Sequence, residues 1–176
     1  HRNMQNIPAG EARNIYLPDS DCYTSFDYNQ VELRVLAYLS GDLEMASIYS
    51  RNEDIHQSTA DFMGISRKIS KNTNFAMIYG ATPQTLKETA KIPDLNKCAE
   101  LITAWSQKFP GAWDWITQMQ EVGLSQGWCD TIYGRKMRLP TDMGDEEIKR
   151  KAVNYKIQGS AAEIVKRAMI KCSNLD

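Results

Sequence analysis

Arg67, Lys71, Phe75 and Tyr79 recur four apart, the spacing that gathers side chains onto one slowly winding face of an α-helix. The stripe begins with two anion-binding side chains and ends with two flat rings just before Gly80, a residue type that stops helices. A stripe destined for a core would be apolar at both ends. A ligand with phosphates at one end and a base at the other matches this order. Spacing alone leaves a plainer alternative open, a solvated basic turn running into a buried aromatic pair.

The other centre of chemistry is Asp27. A carboxylate at the mouth of a strand suits Mg²⁺, a hard cation that keeps positions free for water and substrate phosphates. Phosphoryl transfer by paired metals needs a second acidic ligand. Asp42, Asp54 and Asp61 have the right chemistry, but each stands where helix capping or surface solvation explains it, so spacing names no second ligand. Glu32 follows on the next helix and by itself reads as a surface residue. If it faced the pocket and bonded the hydroxyl of Tyr79, it would wall off the sugar, because an added 2′-OH would collide or leave a partner unsatisfied.

The elements that must position these groups are legible in outline. Residues 21–28 are rich in strand-forming types, with Asp27 at the strand's end. From Gln30 the period changes, placing Val31, Val35, Leu36 and Leu39 on one helical face until Ser40-Gly41-Asp42 closes it. Helices are predicted from Asp54 to Met63, along the stripe to Gly80, and after the Thr82-Pro83 cap. Two more follow, one capped by Asp94 and carrying Leu95, Cys98, Ile102 and Trp105, the other running from Pro110 toward Gly127. Residues 128–139 alternate around Tyr133-Gly134-Arg135-Lys136 and read as a hairpin with a basic tip. From Glu146 to Cys172 the pattern is helical again, with an interruption expected near Gln158-Gly159-Ser160.

With 176 residues and 42% hydrophobic content, the chain can bury one sizeable core or two small ones. A formal charge of -1 argues against a general basic coat, yet Arg135-Lys136-Met137-Arg138, Lys149-Arg150-Lys151 and Lys166-Arg167 with Lys171 are local basic clusters suited to phosphates. Cys22, Cys98, Cys129 and Cys172 are far apart with no CxxC pair, which indicates neither a zinc site nor a disulfide scaffold. No run of about 18 uninterrupted apolar residues and no basic-then-apolar leader is present, so no membrane partner is expected and a cytoplasmic setting is.

Taken together, these residues resemble the family A DNA polymerases, the DNA polymerase I type. Asp27-Tyr28-Asn29-Gln30-Val31-Glu32-Leu33-Arg34 is similar to their motif A, and the stripe from Arg67 to Gly80 to motif B on the fingers helix. Asn3-Met4-Gln5-Asn6-Ile7-Pro8, Asp54-Ile55-His56, Tyr133-Gly134-Arg135 and Asn154-Tyr155-Lys156-Ile157-Gln158-Gly159-Ser160-Ala161-Ala162 also resemble family landmarks, in the family's order. The resemblance implies that Asp27 holds two catalytic Mg²⁺ ions with help from the Tyr28 carbonyl. It implies that Arg67, Lys71, His56 and Gln30 bind the incoming dNTP's triphosphate, Arg67 and Lys71 with catalytic effect. Phe75 would pack on its sugar and base. Tyr79 would stack at the templating position and, bonded to Glu32, help exclude ribonucleotides. Asn3, Gln5, Asn6, Arg150, Asn154 and Gln158 would lie against primer-template DNA.

Departures from the family pattern include Asn29 where serine is common, Ala76 where glycine is common, and Gly10 where an arginine is often found. The resemblance further implies an α+β architecture, a palm with a few antiparallel strands plus a mainly helical fingers subdomain. Residues 1–42 would be a palm portion, 43–145 the fingers with a basic hairpin, and 146–176 a return to the palm. Motif C, which supplies the second metal-binding aspartate, is expected beyond Asp176, in a larger monomeric polypeptide acting in a nucleoid or as a viral protein in a host cytoplasm. Two alternatives stay open at this point, a catalytically incomplete nucleotide- or DNA-binding module and a structural helical domain with a buried stripe.

Overall fold

Residues 27–140 and 142–173 are described by a computed structural model. They form α1 (Val31–Ser40), α2 (Leu43–Ser50), α3 (Ile55–Met63), α4 (Arg67–Ile78), α5 (Pro83–Ala90), α6 (Leu95–Lys108), α7 (Pro110–Gln126), β1 (Trp128–Asp130), β2 (Lys136–Arg138) and α8 (Asp145–Cys172). This is the expected α+β composition, strongly weighted to helix. Of the strand predicted over 21–28, all but Asp27 and Tyr28 lie outside the described residues, and these two have irregular backbone.

Cap chemistry sets most of the helix starts. Asp42, Asp54, Ser66, Thr82 and Asp94 each accept a backbone N–H from the first turn that follows, satisfying donors that the helix cannot. Thr82 and Thr85 complete a reciprocal capping box ahead of Pro83. Gly41, Gly64 and Gly127 end α1, α3 and α7 in the left-handed conformation.

The main core draws Leu33 and Leu36 from α1, Ile48 from α2, Trp105 from α6, and Val153 and Ile157 from α8. The buried face of α1 is wider than predicted: Leu33 and Ala37 join Val35 and Leu36, while Val31 and Leu39 are only half-buried. The reason is that α1 is packed on several sides, by α2, α4, α7 and α8. A smaller cluster around Leu86, Cys98 and Leu101 ties α5 to α6.

The hairpin forms as expected, antiparallel with Trp128 opposite Arg138 and Asp130 opposite Lys136. The interruption expected near Gly159 does not occur, and α8 runs unbroken through Gln158-Gly159-Ser160. Gly159 is there for close packing rather than for a break: a Cβ at this position would meet the Met137 Cε of β2 at 2.7 Å and the Thr131 Cγ2 at 3.0 Å. Ser160 bonds back to the Lys156 carbonyl at 2.6 Å and accepts the Ile132 N–H at 3.0 Å, pinning the hairpin to the helix.

Candidate functional site

Three segments converge on one cavity of about 330 Å³. Asp27 and Tyr28 lead into a turn in which Gln30 adopts the left-handed conformation at φ 54 and ψ 40, which starts α1 and leaves Glu32 on its first turn. From α3 comes His56. Arg67, Lys71 and Phe75 come from α4 and line the cavity together with Asp27, Tyr28, Gln30, Glu32 and His56. The opposite face of α4, with Ser70, Thr73, Asn74, Met77 and Ile78, is buried. Arg67, Lys71 and Phe75 therefore form one wall of the cavity that Asp27 borders, while the half-buried Tyr79 does not line it, and the alternative of a stripe packed inside the protein is excluded.

Asp54 organises the cationic end. It caps α3 through the His56 N–H at 2.9 Å, accepts the Gln30 amide at 3.4 Å, and takes Arg67 Nε at 2.8 Å and Nη2 at 2.6 Å. Partial burial pushes its carboxyl up, but these hydrogen bonds outweigh it and hold Asp54 below the usual carboxylate range. Asp54 is thus a bracket for Arg67. Asp42 is 2% exposed and caps two elements at once, accepting the Met45 N–H at 2.8 Å and the Ala112 N–H at 3.1 Å. Asp61 accepts from Gln57 on the surface at 2.7 Å. None of these three lines the cavity, which agrees with the capping and solvation read from the sequence.

At the aromatic end, the Tyr79 hydroxyl donates to Glu32 Oε2 at 2.7 Å, across 47 residues of sequence. The Gln158 amide donates to the same hydroxyl at 3.2 Å. Burial and the Glu32 carboxylate push the Tyr79 phenol up to about 12, so it remains a donor at neutral pH. Arg150, Asn154 and Gln158 are four apart on α8 and share one face, and Gly80 closes against the Arg150 side chain. Asn154 carries a buried Oδ1 with no hydrogen-bond partner among the described residues.

The model of the family described as DNA polymerase family A matches residues 1–175. The chain belongs to that family. It is 32% identical to the thermostable DNA polymerase I of Thermus thermophilus, over 96% of this chain and 22% of that protein. It is 31% identical to DNA polymerase I of Helicobacter pylori, over 97% of this chain and 21% of that protein. In three dimensions it is similar to the polymerase domain of Pol1 from M. smegmatis, solved with DNA primer-template and dNTP. The TM-score is 0.82 and the identity 28%, over 96% of this chain and 33% of that one. This family A chain therefore spans between a fifth and a third of the length of these relatives.

Family A enzymes use divalent metal ions, and the donor set can be tested against that. Asp27 and the Tyr28 carbonyl are hard oxygen donors bordering both the 330 Å³ cavity and a neighbouring one of about 430 Å³. Such donors suit a hard divalent cation. No group of three or more potential metal ligands occurs among the described residues, and the other carboxylate lining the cavity, Glu32, is bonded by Tyr79. Asn3, Gln5 and Asn6 lie outside the described residues. The basic hairpin is less free than its sequence implied: Arg135 pairs with Glu163 at 2.9 Å, and Lys156 of α8 pairs with Asp130 of β1 at 2.7 Å. No described helix is long and apolar enough to cross a membrane.

Sequence reasoning missed two buried polar residues behind the cavity, Thr59 and Asn74, and the polar N–H of the buried Trp105 indole. The helical period places Trp105 on an apolar face, which says nothing of its N–H. Asn74 offered one signal, an amide beside Phe75 on the face of the helix opposite the stripe, where Met77 and Ile78 follow.

Proposed function

We propose that this chain is the palm-and-fingers part of an enzyme carrying out template-directed DNA synthesis, transferring nucleotides from dNTP to a primer 3′-OH. The observation that carries the reading is the single cavity that holds Asp27, two cations and a ring opposite one another. Residues 1–42 and 146–176 belong to the palm in this reading and 43–145 to the fingers. Primer-template DNA lies along Asn3, Gln5, Asn6, Arg150, Asn154 and Gln158. The parent polypeptide is monomeric and works in the cytoplasm.

Arg67 and Lys71 neutralise the triphosphate, with Gln30 and His56 adding hydrogen bonds. Phe75 packs on sugar and base, and Tyr79 stacks at the templating position. Two Mg²⁺ ions, held in part by Asp27 and the Tyr28 carbonyl, supply charge stabilisation and lower the pKa of the attacking hydroxyl when bound. Glu32, fixed by Tyr79, fills the space that a ribose 2′-OH would need.

A second reading, a nucleotide-binding module without catalysis, is favoured by the single carboxylate available for metal. One experiment covers both: primer extension with dNTPs and with rNTPs, by the full-length polypeptide that carries this chain and by the isolated chain. Extension by the full-length protein alone is expected; robust extension by the isolated chain would contradict a divided metal site. Glu32→Ala in the full-length protein is expected to raise relative ribonucleotide incorporation about 10- to 100-fold, the scale of one buried polar mismatch. Unchanged sugar selectivity would remove Glu32 from the wall.

A further inference from the structure

The hydrogen bonds behind the cavity leave one consistent assignment of protons. The Trp105 indole N–H, a donor only, points at Asn74 Oδ1 at 2.9 Å. The Asn74 amide nitrogen, also a donor only, then faces His56 Nδ1 at 3.0 Å and Thr59 Oγ1 at 3.3 Å. Thr59 has already given its own proton to the Ile55 carbonyl at 2.7 Å, leaving its oxygen free to accept. Turning the Asn74 amide over would set two donors against each other at Trp105. All four side chains are essentially inaccessible, His56 at 2% and the others at 0%, so water cannot repair a mismatch.

With Nδ1 obliged to accept, the proton of a neutral His56 belongs on Nε2. Nε2 makes no hydrogen bond to a described residue, and the ring lines the cavity against Phe75, with centroids 5.7 Å apart. We infer that Asn74, oriented by the Trp105 indole, is a positioning residue that holds His56 as a neutral Nε2–H donor toward the nucleotide's phosphates. This rests on the nucleotide reading given above. The ring's surroundings as a whole act in the same direction, burial first. Burial, Arg67 and Lys71 hold the imidazole below its usual value against the pull of Asp54. A protonated ring would also turn Nδ1–H against the Asn74 amide. The arrangement differs from a carboxylate–histidine pair, in which the partner accepts from Nδ1 and favours the cation.

The test uses the full-length polypeptide labelled with ¹⁵N-histidine, the His56 signals being those lost in His56→Gln. The expected spectrum at neutral pH has a bare Nδ1 and a protonated Nε2. In Asn74→Asp, whose carboxylate can only accept, Nδ1 is expected to gain a proton. An Nδ1–H tautomer in the unaltered protein, or an unchanged tautomer in a folded Asn74→Asp, would overturn the assignment. Trp105→Phe removes the indole donor along with part of the buried ring, so it is read beside a urea melt that confirms folding, and it guards against a misfolded aspartate variant. It is expected to raise KM for dNTP about three- to tenfold, the scale of one hydrogen bond, with a smaller change in kcat. In a His56→Gln background the same change should have no further effect on KM. A fully additive loss would reduce Trp105 to packing and overturn the relay. An unchanged KM in His56→Gln itself would instead remove the nucleotide reading, an outcome the spectrum separates from failure of the tautomer.

Discussion

Asp27→Ala in the full-length polypeptide is expected to abolish nucleotide incorporation, with a loss of about 10³-fold or more, while DNA affinity stays nearly unchanged. The size follows from chemistry. A metal ion at the reacting phosphate supplies several kcal/mol of transition-state stabilisation, and each ~1.4 kcal/mol is tenfold in rate. Asp27 is the only carboxylate besides Glu32 that lines the cavity among the described residues, and Glu32 is already engaged by Tyr79. No neighbour can therefore take over. DNA affinity is spared because it comes from many phosphate contacts spread over the protein. Asp27 is exposed, so its loss leaves no cavity in the core. Single-turnover extension beside DNA-binding anisotropy at fixed salt checks both halves; synthesis within tenfold of the unaltered protein would take Asp27 out of the metal site.

Most local structure was legible because its causes are local. Asp54, Thr82 and Asp94 announced helix starts by cap chemistry, and each caps as read. The hairpin followed from alternation and the glycine at its tip. What was not legible has non-local causes. α2 offers only Met45 and Ile48 as buried residues, too short a pattern to identify a helix. Gly159 looked like a breaker because its partners, Met137 and Thr131, are brought to it by the fold. The contact between Glu32 and Tyr79 could be posed from the sequence only as a condition, since 47 residues separate them and spacing alone makes Glu32 a surface residue. The Trp105–Asn74–His56 relay was invisible for the same reason, spanning 31 and 18 residues. Periodicity reports which face of a helix is buried, but it does not report which polar groups meet inside.

Lys71→Ala is the second large expected effect, a fall in kcat/KM for dNTP of about 10²- to 10³-fold, the scale of losing one preorganised charge at a developing anion. Arg67 and Lys71 stand one turn apart on the same wall but are held differently. The Arg67 guanidinium is shared with Asp54, which both aims it and offsets part of its charge. Lys71 makes no ion pair among the described residues, so its whole charge is available to the phosphates. Lys71 is exposed on α4, and truncating it removes no packing that holds the helix, so stability should change little. Lys71→Arg should recover much of the loss if charge is the main requirement, and little if a compact ammonium is needed. Steady-state kinetics for dNTP with a parallel urea melt separates these outcomes. A loss below about threefold in a fully folded Lys71→Ala protein would mean that the phosphates are bound elsewhere, and the cavity beside Asp27 would then have no claim to the nucleotide.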